Sequence, residues 1–109
     1  MTESYHVLAQ LSPSANTLTT LYTAPALTTT TISSIVICNT NSVASTFRVS
    51  IKVNGAEDNI KQYLYYDLPL LGNDTFIATI GITLGTGDIV AVQTNMTNIS
   101  FNLFGVEIQ

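Results

Sequence analysis

Lys61-Gln62-Tyr63-Leu64-Tyr65-Tyr66-Asp67-Leu68-Pro69-Leu70-Leu71-Gly72-Asn73-Asp74-Thr75-Phe76 lies at the middle of the chain and holds three of its five tyrosines. Tyr63, Tyr65 and Asp67 alternate with Leu64, Tyr66 and Leu68. A strand here turns two aromatic rings and a carboxylate to one side and three bulky side chains to the other. Pro69 has no N–H to donate and ends the pairing. Gly72-Asn73-Asp74 then turns the chain, and Thr75-Phe76 opens the next strand.

The same period continues outward in both directions. Upstream, Phe47, Val49, Ile51 and Val53 share one face, expected to be core, and Thr46, Arg48, Ser50 and Lys52 share the other. Asn54-Gly55 signals a turn that Ala56 to Asn59 lengthens into an exposed loop. Ile32 to Cys38 is apolar on both faces near its end, as a central strand is, and Asn39 to Ser42 turns it. Ser4 to Leu11 alternates around Tyr5, Val7 and Ala9 until Ser12 to Asn16 break it, and Thr17 to Thr23 carries Leu18, Leu21 and Tyr22 up to Pro25. Downstream, Thr75 to Leu84 alternates through Phe76, Ala78, Ile80 and Ile82, with Gly81 a bulge or close approach. After a turn at Gly85 to Asp88, Ile89 to Thr94 and Asn98 to Ile108 supply two more strands, the last with Ile99, Phe101 and Leu103 on one face. Helical spacing is nearly absent. These readings predict an all-β chain forming a single two-sheet β-sandwich, jelly-roll-like, with about eight antiparallel strands. One domain spans residues 1–109: 1–16 as an N-terminal strand or arm and 17–109 as the sandwich core. Which strand pairs with which stays open.

Composition narrows the function. At 109 residues there is room for one core, and charged residues are only 9%, against about 25% in soluble domains. Free monomers coat themselves with charge, whereas interface cores are depleted in it, so a surface of Thr, Ser and Asn suggests coverage by other subunits. A neutral polar coat on an ordinary β-domain is the alternative. The net charge of −4, with Arg48, Lys52 and Lys61 the only cations, argues against a nucleic-acid partner, which requires a basic footprint. No apolar run approaches the ~20 residues of a membrane helix, so no membrane is expected. The Met-Thr-Glu start lacks the basic and apolar regions of a signal peptide. Cys38 stands alone and reads as a small buried hydrophobe.

No catalytic pattern emerges. His6 is the only histidine, with no cysteine or histidine cluster to complete a zinc site. Asn54 to Asn59 offers oxygen ligands without EF-hand spacing, and Gly85-Thr86-Gly87 precedes no helix that could hold a phosphate. A nucleophilic Ser or Thr would have only His6 as its base. Asp58, Asp67, Asp74 and Asp88 fit turn capping better than paired acid–base work. The expectation is a protein that is not an enzyme and takes no metal or cofactor. Candidate partner contacts are Tyr5, His6 and Val7 on the first strand, and Tyr63, Tyr65 and Asp67, whose aromatic face is also suited to a sugar.

Leu21 to Pro25, Ser33 to Asn39, Thr46 to Val49, Tyr63 to Pro69, Asn73 to Phe76 and Ser100 to Gly105 carry a resemblance that spans most of Leu21 to Ile108. The chain resembles small β-sandwich structural proteins of tailed bacteriophages, including those that infect cyanobacteria. That resemblance implies a virion component, foremost a capsid decoration (cement) protein that binds across subunits of the major capsid protein. It implies a homotrimer placed on the capsid surface after assembly in the host cytoplasm, and brings no catalytic or cofactor residue. A neck, tail or baseplate subunit is the alternative within virions. A carbohydrate-binding or receptor-binding module is the alternative of another class.

Overall fold

Strands that carry one apolar face each must close that face against another sheet. In the structure of the protein, a computed structural model that describes residues 2–109, eight strands do so. They are β1 (Glu3–Leu11), β2 (Thr19–Thr23), β3 (Thr29–Asn39), β4 (Ser45–Lys52), β5 (Tyr63–Leu70), β6 (Thr75–Leu84), β7 (Ile89–Thr94) and β8 (Ile99–Ile108). The first sheet has the order β1-β8-β3-β6 and the second β2-β7-β4-β5, all neighbours antiparallel. The pairs β1–β8, β2–β7, β3–β6 and β4–β5 nest inside one another, so the chain is one long hairpin, turned between β4 and β5 and wrapped into two layers. This is the jelly-roll order. The predicted all-β sandwich is the observed fold.

Ile32, Ile35 and Ile37 of β3 and Ile99, Phe101 and Leu103 of β8 face Phe47 and Val49 of β4 and Val90 and Val92 of β7, all buried. Phe47 stands 6.0 Å from the ring of Tyr65 and 5.1 Å from that of Phe76, and Tyr65 and Phe76 are 5.2 Å apart. Phe76 belongs to the first sheet and the other two rings to the second, so the trio joins the layers. Tilted or edge-on aromatic pairs of this kind add about 0.5–1.5 kcal/mol each beyond their area. At one end of the core the buried amide of Asn39 donates to the carbonyls of Val43 and Leu70 at 2.9 and 3.2 Å and accepts from the Asn41 N–H at 2.9 Å. It fastens the β3–β4 turn to the end of β5.

Bulges redirect several side chains. Gly81, at φ +56, falls where the β3–β6 register shifts between Ile32 and Ser34, and takes the predicted role of bulge residue. Leu21 lies in a register shift of β2 against β7, so Leu21 and Tyr22 are both buried. β5 shifts twice against β4: Val49 pairs with Tyr65, while Ser50 pairs with Tyr63 and Phe47 with Leu68. Asp67 occupies the left-handed region at φ 51. The expectation that Tyr63, Tyr65 and Asp67 share a face is therefore corrected. Tyr65 turns inward to the aromatic trio, whereas Tyr63, Tyr66 and Asp67 lie on the outer face.

Other corrections follow from the ends and edges. Val53 is 67% exposed, because β4 stops at Lys52 and a one-turn 3-10 helix, Val53–Gly55, begins there. Ser50, expected on the wet face, is fully buried and its hydroxyl has no partner among the described residues. The segment after β4 is long and exposed as predicted, but its second 3-10 turn, Ile60–Gln62, lies against β4 and buries Gln62. Pro69 does not end the pairing: it stands opposite Thr46 on β5, an edge strand whose outer side needs no donor. Cys38 is half-buried on the outside of the first sheet between buried Ile37 and Asn39. The stretch at the N-terminus is the edge strand β1, paired with β8 along its length.

Replacing Phe47 by Ala is expected to cost about 3–5 kcal/mol, while Val53→Ala stays within about 0.5 kcal/mol. Urea denaturation of the two variants checks this, and similar costs for both would contradict the assigned core edge.

Candidate functional site

Alternation assigns the two outer faces. In the first sheet the buried rows Leu103–Ile35–Ala78 and Phe101–Ile37–Phe76 leave the rows between them pointing out. Five outward rows cross the sheet: Glu3–Ile108–Thr29, Tyr5–Val106–Thr31–Thr83, Val7–Phe104–Ser34–Thr79, Gln10–Asn102–Val36–Ile77, and Ser100–Cys38–Thr75. Only the first row holds a charged residue, Glu3, and the other four hold none. Glu3, in the first row, accepts from the Tyr5 hydroxyl at 3.0 Å, and Asp74 lies beyond the last row. Tyr5 and Ile77 are 76% and 66% exposed, and the Gln10 amide donates to Asn102 across the strands at 2.7 Å.

All three cations belong to the other half of the molecule, on or beside β4 and β5. The outer face of the second sheet is built around Arg48, whose Nε and Nη2 donate to the two oxygens of Asp67 at 2.6 and 3.2 Å. Its guanidinium lies 4.1 Å from the centroid of the Tyr66 ring, a cation–π contact. Tyr63 packs edge-on to Tyr66 at 5.0 Å and donates its hydroxyl to Asp58 at 3.0 Å. Both Tyr66 and Asp67 reach Arg48 because the β5 bulge sets two consecutive outward residues opposite one. The bidentate guanidinium holds the Asp67 carboxyl below the usual carboxylate range. Burial, followed by the hydrogen bond to Asp58, raises the Tyr63 phenol.

Beside this pair is an open pocket of about 160 Å³, lined by Asn16, Thr46, Arg48, Asp67, Gln93 and Asn95 above Thr94. Arg48 and Gln93 face each other across β4 and β7. Asn16, at φ 57 in the β1–β2 turn, is pinned by its N–H to the Thr94 carbonyl at 2.7 Å.

A second polar group closes the end of the sandwich. Ser4 Oγ lies 3.2 Å from His6 Nδ1, and His6 Nε2 lies 3.2 Å from Glu107 Oε1. Glu107 accepts from the Tyr22 hydroxyl at 2.5 Å, which also meets Thr30 Oγ1 at 2.8 Å. The group links β1 and β8 of the first sheet to β2 of the second. Burial, reinforced by the Glu107 carboxylate, pushes the Tyr22 phenol up to about 12. Among the described residues no group of three or more His, Cys, Asp or Glu is placed to hold a metal.

The structure thus separates the six residues singled out from sequence. Tyr5 and Val7 sit on the outer face of the first sheet, His6 in the end network, Tyr63 and Asp67 around Arg48, and Tyr65 in the core. Arg48 and Tyr66 complete the second-sheet cluster, and sequence reasoning passed over both as sites. The pocket residues Asn16, Gln93 and Asn95 carry no local signal, because a turn and two distant strands bring them together. No protein-family model matches this chain, and no curated protein matches it in sequence.

Asp67 is expected to titrate below about 3.9, the ordinary carboxylate value, and to move up towards it in Arg48→Met, as followed by its side-chain carbon shift. Its depressed value means that the bridge is fully formed above the ordinary carboxylate value and opens as pH falls through the folded one. Tyr22 works in the opposite sense. Its contribution to stability is present below about 10 and is lost as pH rises through about 12, so Tyr22→Phe removes one late step from the alkaline tyrosinate absorbance titration.

Proposed function

We propose that this protein is a non-enzymatic structural subunit of a virion, a capsid decoration protein that docks by the outer face of its first sheet across neighbouring major capsid protein subunits. The observation that carries this reading is the four-strand face whose outward rows hold a single charged residue, Glu3, at the end of the edge strand. A chain of net charge −4 that confines the charge of this face to one corner can bring the rest of the face against a partner without desolvating an unpaired ion. Its half-buried Phe104, Val106 and Val36 and exposed Tyr5, Val7 and Ile77 supply apolar area, and its Thr, Ser, Asn and Gln residues supply hydrogen bonds. The resemblance to phage structural proteins supports the choice of a capsid as partner.

Scale argues for several copies acting together. Strands about 4.8 Å apart with about 3.3 Å per residue give four strands of eight residues a face of about 500 Å². Standard interfaces bury about 800 Å² per partner. One copy gives a weak contact, whereas a homotrimer engaging adjacent shell subunits raises avidity by effective concentration. Binding to the closed lattice and not to dispersed subunits stabilises the lattice by mass action.

Added to expanded shells, the protein should raise their rupture temperature saturably, and moderate salt should weaken the effect little because four of the five outward rows are uncharged. Ile77→Lys should lose most of this occupancy while retaining the free protein's unfolding midpoint. Full occupancy by Ile77→Lys, or labelling of tails with no head binding, would defeat the reading.

A further inference from the structure

We infer that the pocket on the outer face of the second sheet, between Asn16, Arg48 and Gln93, binds a neutral polyhydroxylated ligand, a saccharide. This goes beyond shell docking, which uses the opposite face. The pocket volume of about 160 Å³ is below the roughly 300–1,000 Å³ of sites for drug-sized ligands and suits one small ring with its neighbours in solvent. Its single cation and single carboxylate are already paired at 2.6 and 3.2 Å. The lining is therefore neutral overall, which disfavours a free anion or a free cation.

The remaining polar groups are open to a ligand. Asn95 uses its carbonyl oxygen to accept from the Thr46 N–H at 3.0 Å and from the Ser45 hydroxyl, which leaves its amide N–H groups free. The side chains of Asn16, Gln93 and Thr46 make no hydrogen bond among the described residues, and Arg48 Nη1 points to no carboxylate. Amides and hydroxyls each offer donors and acceptors together, as sugar hydroxyls require, because every hydroxyl both donates and accepts.

These groups are also held in place. Arg48 is fixed by Asp67 on one side and the Tyr66 ring on another, Asn16 by its N–H to Thr94, and Gln93 by a central strand. The Arg48 side chain and the backbones that carry Asn16 and Gln93 are thus set before binding, which lowers the entropy lost on binding. Tyr66, 56% exposed, is not a lining residue and acts on the pocket through Arg48, whose guanidinium lies 4.1 Å from its ring centroid.

The test is a heteronuclear NMR titration of the full chain with methyl glucoside, methyl galactoside and methyl mannoside at millimolar concentration, with sulfate as the anionic probe and a glycan array as the wider screen. At least one saccharide should shift resonances of Asn16, Thr46, Arg48, Gln93 and Asn95. Gln93→Ala and Arg48→Met should each weaken that binding at least tenfold, and Ile77→Lys should leave it unchanged. The last arm separates this site from the docking face, since the pocket can bind sugar whether or not the other face meets a shell. Absence of binding in both titration and array, larger shifts at these residues with sulfate than with any sugar, or shifts confined to other surfaces would each overturn the inference.

Discussion

β5 leaves strict alternation at Asp67, where the backbone enters the left-handed region at φ 51, and both the core and the outer cluster depend on that step. Without it, the strand could not turn Tyr65 and Leu68 inward while sending Tyr66 and Asp67 outward together. The inward pair completes the packing around Phe47, which is fully buried and in ring contact with Tyr65 and Phe76. The outward pair encloses the guanidinium of Arg48 from two directions. A non-glycine residue in this region costs of order 1 kcal/mol or more, and aspartate is among the residues that tolerate it best. The aromatic packing inside and the bidentate ion pair outside offset that cost at the same point of the chain.

The placement of charge divides the molecule. Arg48, Lys52 and Lys61 lie on or next to the second sheet, while four of the five outward rows of the first sheet carry no charged residue and the fifth carries Glu3. The low charge content is therefore not spread evenly: the outer face of the first sheet keeps a single carboxylate at one corner, and that of the second is centred on the Arg48–Asp67 pair. Loss of water from the uncharged rows costs little. On the opposite face the pairing of Arg48 with Asp67 preserves polarity without a net field.

Much of the fold was legible because period two is a strong signal. β6, β7 and β8 agree with the sequence reading to within a residue, and Gly81 marks a bulge as its lack of a side chain suggested. The nested order was not legible, since it rests on contacts such as Gln10 with Asn102, which no local pattern specifies. The face assignment of Tyr63, Tyr65 and Asp67 failed because alternation alone does not reveal a bulge between bulky residues. Val53 was assigned to the core because its spacing continues that of Phe47, Val49 and Ile51, yet the chain turns before reaching it. Asn59 and Gln62 form a capping box around the second 3-10 turn, a signature present in the sequence as Asn-x-x-Gln but hidden inside an apparent loop. The candidate pocket was illegible for the same reason as the topology: its walls come from the β1–β2 turn, β4, β5 and β7.

On the proposed reading, the outer face of the first sheet is covered on the shell and the outer face of the second is left open. Hydroxyl-radical footprinting of the free protein and of the protein on shells reads this directly, since exposed aromatic and aliphatic side chains report on both faces. The account predicts strong protection of Tyr5, Val7 and Ile77 and unchanged labelling of Leu64 and Tyr66. Protection of Leu64 and Tyr66 with Tyr5 and Ile77 still labelled would contradict it.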